Sequence, residues 1–211
     1  MRFLCVSDIH GHAKAFRAML EYAGGLGFDQ LVACGDHLYP GPEPLEVWKL
    51  LIEHKAVCVQ GIGDKALARV DPGKLLGTTE VERQRIARLR DVHQEVGELI
   101  IARLAKLPTT ARIPLENDDV LLAVHGCPMD PTEPFSPEMT DEEMEALVGE
   151  DMADIIVCGG SHVAFERMLP DVHIVGVGSV GESPGGTYAT AALVETSSIG
   201  HQVRLLSVEL D

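Results

Sequence analysis

Three short apolar runs, each breaking off into a turn that carries polar ligand-type residues or glycine, constrain this chain most. FLCVS at 3–7 opens into DIHGH, QLVACG at 30–35 into DH, and AVCVQG at 56–61 into IGD. The runs are continuous, not alternating, which is the pattern of strands buried on both faces. Between the first two, Ala15, Phe16, Met19, Leu20 and Ala23 recur at three- and four-residue spacing and predict a helix over 12–26. LEVWKLLIEH predicts another over 45–54, after the turn-rich GPEP. Strands alternating with helices in this way define an α/β layered fold.

Further along, 78–107 reads as one long amphipathic helix or two in series, with Val81, Ile86, Leu89, Val96, Leu99, Ile100 and Leu104 as the expected core stripe. RIPLE at 112–116 and DVLLAVHG at 119–126, separated by Asn117 and Asp118, predict an antiparallel pair. The proline-rich stretch 127–140 is expected to be an irregular excursion, long enough for a lid, followed by an acidic helix in DEEMEALVGE. DIIVCGG, DVHIVGVGSVG, YATAALVE and HQVRLLSVEL have the strand density of a second sheet. No internal repeat or linker interrupts the 211 residues, so one domain spanning 1–211 is expected.

Charge narrows the partners. Seventeen Lys and Arg against 33 Asp and Glu give a net charge of −16 with no basic run, which argues against nucleic acid. An anionic small substrate meets the same repulsion, and a bound divalent cation is the usual remedy. Cys5, Cys34, Cys58, Cys127 and Cys158 show no CxxC spacing and suit small buried hydrophobes in a reducing compartment. No apolar stretch approaches the roughly 18 residues of a membrane span, so the cytoplasm is the expected location.

Asp8 and His10 follow the first strand as D-x-H, Asp36 the second, His125 the strand ending AVHG, and His162 the run DIIVCGGS. A single Asp after a strand is more often a turn residue, and a lone histidine more often hydrogen-bonded than ligating. Joint placement changes the balance: all five fall at predicted strand ends, where open α/β sheets gather ligands. Two carboxylates and three imidazoles make a mixed donor set suited to Mn, Fe or Zn. His54, His93, His173 and His201 stand outside the pattern.

SDIHGH, GDHLYPGPEP, HGCPMDP, VCGGSHVAFER and GSVGESPGG, in this order, resemble the D-x-H, GD, HG, GH-x-H and GSVG blocks of the calcineurin-like metallophosphoesterase superfamily, in its small bacterial and archaeal branch. GIGD at 61–64 stands where that family has GNHD. The resemblance implies a four-layer α/β/β/α sandwich with two facing mixed sheets. It also implies two metals sharing the aspartate of GD and a small phosphorylated molecule or phosphoprotein as substrate. Carried over by position, the first metal falls to Asp8, His10, Asp36 and His162. The second keeps only Asp36 and His125, because Ile62 replaces the family's asparagine and Gly160 its first GH-x-H histidine. Gly63 replaces the histidine that usually serves as general acid.

Neither isoleucine nor glycine offers a side-chain donor, so the resemblance implies one ion and an impaired second site. A missing general acid typically costs about 10²–10⁴-fold, and slow hydrolysis of activated aryl esters, or none, is expected. His12, His37 and Asp64 are weighed as substitutes, each with a structural role as the plainer reading. No catalytic acid is assigned; His12 and His125 are the candidates. For the substrate, the backbone of Gly178 and Ser179 and the side chain of Arg167 are the expected contacts. A non-catalytic binding module on the same fold, or a metal-free structural protein, are the competing readings.

Overall fold

A computed structural model describes residues 1–210. Strands β1 (Arg2–Val6), β2 (Gln30–Ala33) and β3 (Val57–Cys58) lie parallel. They are joined by helices α1 (Ala13–Leu26) and α2 (Pro44–Glu53). Then follow α3 (Ile62–Arg69), α4 (Glu80–Leu104), β4 (Thr110–Pro114), β5 (Val120–Val124), α5 (Asp141–Val148), β6 (Ile155–Cys158), β7 (Ala164–Met168), β8 (His173–Val177), β9 (Tyr188–Ser197) and β10 (Gly200–Glu209). The strand orders are β10-β9-β1-β2-β3 and β4-β5-β6-β8-β7, two mixed five-stranded sheets.

The continuous apolar runs are divided residue by residue between layers, as the period of two requires. Phe3 and Cys5 of β1 pack with Leu121, Ala123, Ile155 and Val157 between the sheets, while Leu4 and Val6 face Phe16 and Met19 of α1. On the far side, Leu122, Val124, Ile156 and Cys158 meet Met144 and Val148 of α5. Three separate apolar clusters therefore sit in the three spaces of an α/β/β/α sandwich.

Two expectations are corrected here. YATAALVE and HQVRLLSVEL do not extend the second sheet: β9 pairs antiparallel with β1, and β10 with β9, so the chain returns to the first sheet. In α4 the buried stripe is Leu89, Val92, Val96, Ile100 and Leu104, whereas Val81 and Leu99 are exposed. Gly97, with a left-handed φ of 73°, divides α4 into the two helices in series that the sequence allowed. The start of α4 is fixed by a reciprocal cap between Thr79 and Glu82.

Candidate metal centre

The parallel strands of both sheets end on one rim, and every ligand-type residue of the sequence pattern follows one of those ends. The β1 end is held between the sheets. Asp8 N–H donates to the Gly35 carbonyl, the N–H groups of Val180 and Gly181 donate to the carbonyls of Ser7 and Asp8, and Gly160 N–H donates to Asp8 Oδ2. Asp8, His10, Asp36 and His162 all adopt left-handed backbone, with φ of 51°, 49°, 50° and 58°. Such conformations cost about 1–3 kcal/mol each for residues other than glycine and gather at functional sites.

Two clusters of potential ligand atoms result. Asp8, His10 and His162 form one, and Asp8, Asp36 and His125 the other, each with its ligand atoms within 4.8 Å of one another. Asp8 belongs to both groups and Asp36 to the second. One Asp36 oxygen, Oδ1, accepts the Gly63 N–H at 2.6 Å, and the other, Oδ2, faces His125 Nε2 at 3.6 Å.

The imidazoles are all oriented in the same sense. His10 Nδ1 meets the Tyr39 carbonyl at 2.6 Å, His125 Nδ1 that of Cys34 at 2.8 Å, and His162 Nδ1 that of Glu182 at 2.9 Å. A carbonyl only accepts, so each Nδ1 carries a proton and each ring turns Nε2 inward, where it offers a lone pair once that nitrogen is deprotonated. His10 Nε2 and His162 Nε2 then face each other at 3.3 Å, beside Asp8 Oδ1 at 3.6 and 3.1 Å. Asp8 Oδ1 is buried and has no aligned hydrogen-bond donor. Two inward Nε2 atoms around an orphaned carboxylate oxygen call for positive charge, and this donor set fits a divalent cation.

Local electrostatics express the same demand. Burial raises the Asp8 carboxyl, but the adjacent His10 and His162 outweigh it and hold it well below the usual range. Burial opposes protonation of His10, yet Asp8 and the Tyr39 carbonyl raise it to about 9. Asp8 also raises His162. Asp36 is raised by burial first, with His125 opposing and Asp64 and Asp8 adding to it.

The remaining candidates have other engagements. His12 stands at the start of α1, against Gly181, with no side-chain cap bond. His37 is fully buried beside Asp64, with Nε2 3.7 Å from Asp64 Oδ2. Asp64 accepts the N–H groups of His37 and Gly61, so it holds the α3 start against the Asp36 turn. Arg167 is tied to Asp141 at 2.6 Å and to the Pro137 carbonyl at 3.2 Å. In the loop after β8 four amides are engaged within the protein: Ser179 N–H donates to Thr190 Oγ1 and Glu182 N–H to Ser179 Oγ, while Val180 and Gly181 hold β1. Ser179 Oγ itself donates to the Asp8 carbonyl. The 127–140 excursion is irregular, as expected, and is anchored by Phe135, fully buried in the outer core.

Two contributors were missed from sequence. Glu182, directly after GSVG, receives His162 Nδ1–H on its carbonyl and places Oε2 3.8 Å from His10 Nε2. Arg88 of α4 donates Nε–H to the Pro40 carbonyl at 2.6 Å and an Nη2–H to that of Gly41, bracing the loop whose Tyr39 carbonyl orients His10. Position next to a motif could have flagged Glu182; nothing local to 88 announces its role.

The chain belongs to the calcineurin-like phosphoesterase superfamily, whose domain model matches residues 1–198. Among solved structures, a hypothetical protein from Pyrococcus horikoshii is similar at a TM-score of 0.82 and 21% identity, covering 100% of this chain and 88% of that one. A metallophosphoesterase from Sphaerobacter thermophilus follows at 0.77 and 21%, covering 100% and 89%. Yfce, a phosphoesterase from E. coli, matches at 0.54 and 22%, covering 92% and 88%. No curated protein matches. These likenesses support the fold; the site's chemistry has to be argued from its own residues.

Proposed function

We propose that this protein is a metal-dependent phosphoesterase that hydrolyses phosphate mono- or diesters of a small molecule or phosphoprotein. One cation site is complete and the other is impaired. The observation that carries this reading is the first cluster, in which Asp8, His10 and His162 converge with both imidazole Nε2 atoms turned inward and one carboxylate oxygen unpartnered. When bound there, a divalent ion such as Mn, Fe or Zn supplies charge neutralisation and polarises a phosphoryl oxygen. Asp8 anchors it, the carbonyls of Tyr39 and Glu182 keep the two rings in the ligating tautomer, and the protein's own acidity is locally offset.

Impairment of the second site rests on Ile62, Gly63 and Gly160. Ile62 is 47% exposed at the start of α3, and it has no donor to offer. A Cβ at Gly63 would lie 3.3 Å from Asp36 Oδ1, and one at Gly160 would lie 3.7 Å from His125 Nε2, so both glycines border the second cluster where a ligating or acidic side chain would enter. His12 is the imidazole left to supply a proton to a leaving group.

The same three residues favour the second reading, a metal-binding module without turnover. Metal analysis paired with hydrolysis of aryl phosphate mono- and diesters in manganese separates the two. One ion with slow aryl turnover is expected; one ion without turnover selects the binding module, and no ion removes both. Ile62→Asn with Gly63→His should raise the rate, by up to about 10²-fold if the acid is what is missing; an unchanged rate and metal content would show that the position is already filled. Gly63 can take the new side chain because its φ is not left-handed, whereas Gly160, at φ 74° and with Pro134 Cβ 3.1 Å from a built Cβ, resists one.

A further inference from the structure

We propose that β10 is a dimerisation strand, whose free edge pairs antiparallel with the same edge of a second copy of this chain. The two sheets have four edge strands, and three of them are blunted. β3 is two residues long, β4 carries Pro114 and the Arg112–Asp151 ion pair, and β7 spans five residues that include Glu166 and Arg167. β10 runs for ten residues, GHQVRLLSVE, without proline or lysine. A long edge left open in this way is a template for another strand.

Backbone direction identifies which groups stand open. Thr196 N–H of β9 donates to the Met1 carbonyl at 2.8 Å, toward β1. Thr196 lies opposite His201, so that pair exchanges no ladder bonds and His201 directs its N–H and C=O away from β9. The alternation puts Val203, Leu205, Ser207 and Glu209 in the same position. Outside the β9 ladder, none of these five makes a main-chain hydrogen bond among the described residues. None of them is buried: Val203 and Leu205 pack only in part against the cluster between the sheets, as Val208 does on the α1 side. A further strand would therefore cover apolar surface on both faces.

Self-complementarity favours a second copy as the occupant. A two-fold axis through Leu205 sets Leu205 against itself, Val203 against Ser207 and His201 against Glu209. Every open residue then meets an open residue, for about ten N–H···O=C bonds. Between them Arg204 falls opposite Leu206 and Gln202 opposite Val208, so no like charges face each other. The strand itself carries one arginine and one glutamate, and the chain's net charge of −16 is not concentrated on it. Because β10 runs parallel to β1, the axis sends the two cation rims to opposite ends of the joined sheet.

The test reads oligomeric state by light scattering over a dilution series, with amide exchange followed residue by residue. Wild type should form a concentration-dependent dimer with or without Mn(II). Between monomer and dimer the amides of Val203, Leu205 and Ser207 should slow at least about 10-fold, while those of Gln202, Arg204 and Leu206, already bonded to β9, should change little. Ser207→Pro deletes an outward N–H and should be monomeric with an unfolding midpoint near that of the wild-type monomer, since an edge tolerates proline. Ser207→Ala should dimerise as wild type does. If Ser207→Pro does not fold, the wild-type exchange pattern decides. A wild type that stays monomeric up to about 1 mM, or a dimer in which Val203, Leu205 and Ser207 exchange as fast as in the monomer, would overturn the proposal.

Discussion

Histidines meet carboxylates at both ends of this sandwich, and the two meetings differ. At the carboxyl rim, three rings each spend Nδ1 on a main-chain carbonyl from a separate segment and turn Nε2 toward aspartates. At the opposite end, His173 Nδ1 lies 2.9 Å from His201 Nε2, and His173 Nε2 lies 3.3 Å from Glu166 Oε2. There the side chains satisfy one another across the edges of the two sheets, since Glu166 and His173 sit on β7 and β8 and His201 on β10. Burial and His201 lower His173, with Glu166 opposing, the reverse of the shift at His10 and His162. Neither His173 nor His201 has left-handed backbone. The lesson is that tautomer control by the backbone, and not the number of imidazoles, separates a candidate cation site from a cross-sheet clasp.

The comparison can be broken most decisively at Asp8. Asp8→Asn removes the carboxylate common to both rim clusters, and retained Mn(II) after desalting should fall at least about 100-fold, whereas His173→Gln should retain the wild-type amount. Equal retention in both variants would erase the distinction.

Arg88→Met comes next. Its guanidinium touches no ligand, yet it braces the Tyr39–Gly41 loop that orients His10. Mn(II) affinity measured by calorimetry should drop about 10-fold, with part of it restored in Arg88→Lys. Unaltered affinity would mean that the Tyr39 carbonyl holds its place without help from α4.

The smallest effect belongs to the clasp. His201→Gln should lower unfolding stability by about 1 kcal/mol, the net worth of one hydrogen bond, or about 2–4 °C in thermal midpoint for a chain of this size. Metal affinity should not change. A loss of affinity here would show that the two ends of the sandwich communicate.

Much of this was legible in the residues alone. The runs around Phe3, Leu31 and Ile155 are apolar at every position because both faces are covered, and that continuity is visible in one dimension. The rim residues stand out for the same reason, each lying within a few positions of the end of such a run. What was not legible depends on partners that a side-chain sequence does not spell. The carbonyls of Tyr39, Cys34 and Glu182, which set the tautomers, belong to residues whose identity is irrelevant to the bond they make. The pairing of β9 with β1 joins residues 3 and 194, a separation over which no local pattern reports. Val81 and Leu99 were assigned to the core from their spacing alone, which does not show which turns of α4 pack against the rest of the chain.

The left-handed backbone shared by Asp8, His10, Asp36 and His162 has an evolutionary corollary. Glycine would occupy those four positions at lower conformational cost, because it lacks the Cβ that makes the region unfavourable. A lineage released from the need to hold a cation would therefore gain folding free energy by drifting toward glycine or asparagine at the rim. This chain carries glycine at 63 and 160, beside the second cluster, and still keeps three costly residues, Asp8, His10 and His162, at the first. Selection on that half of the rim is the economical explanation for their persistence.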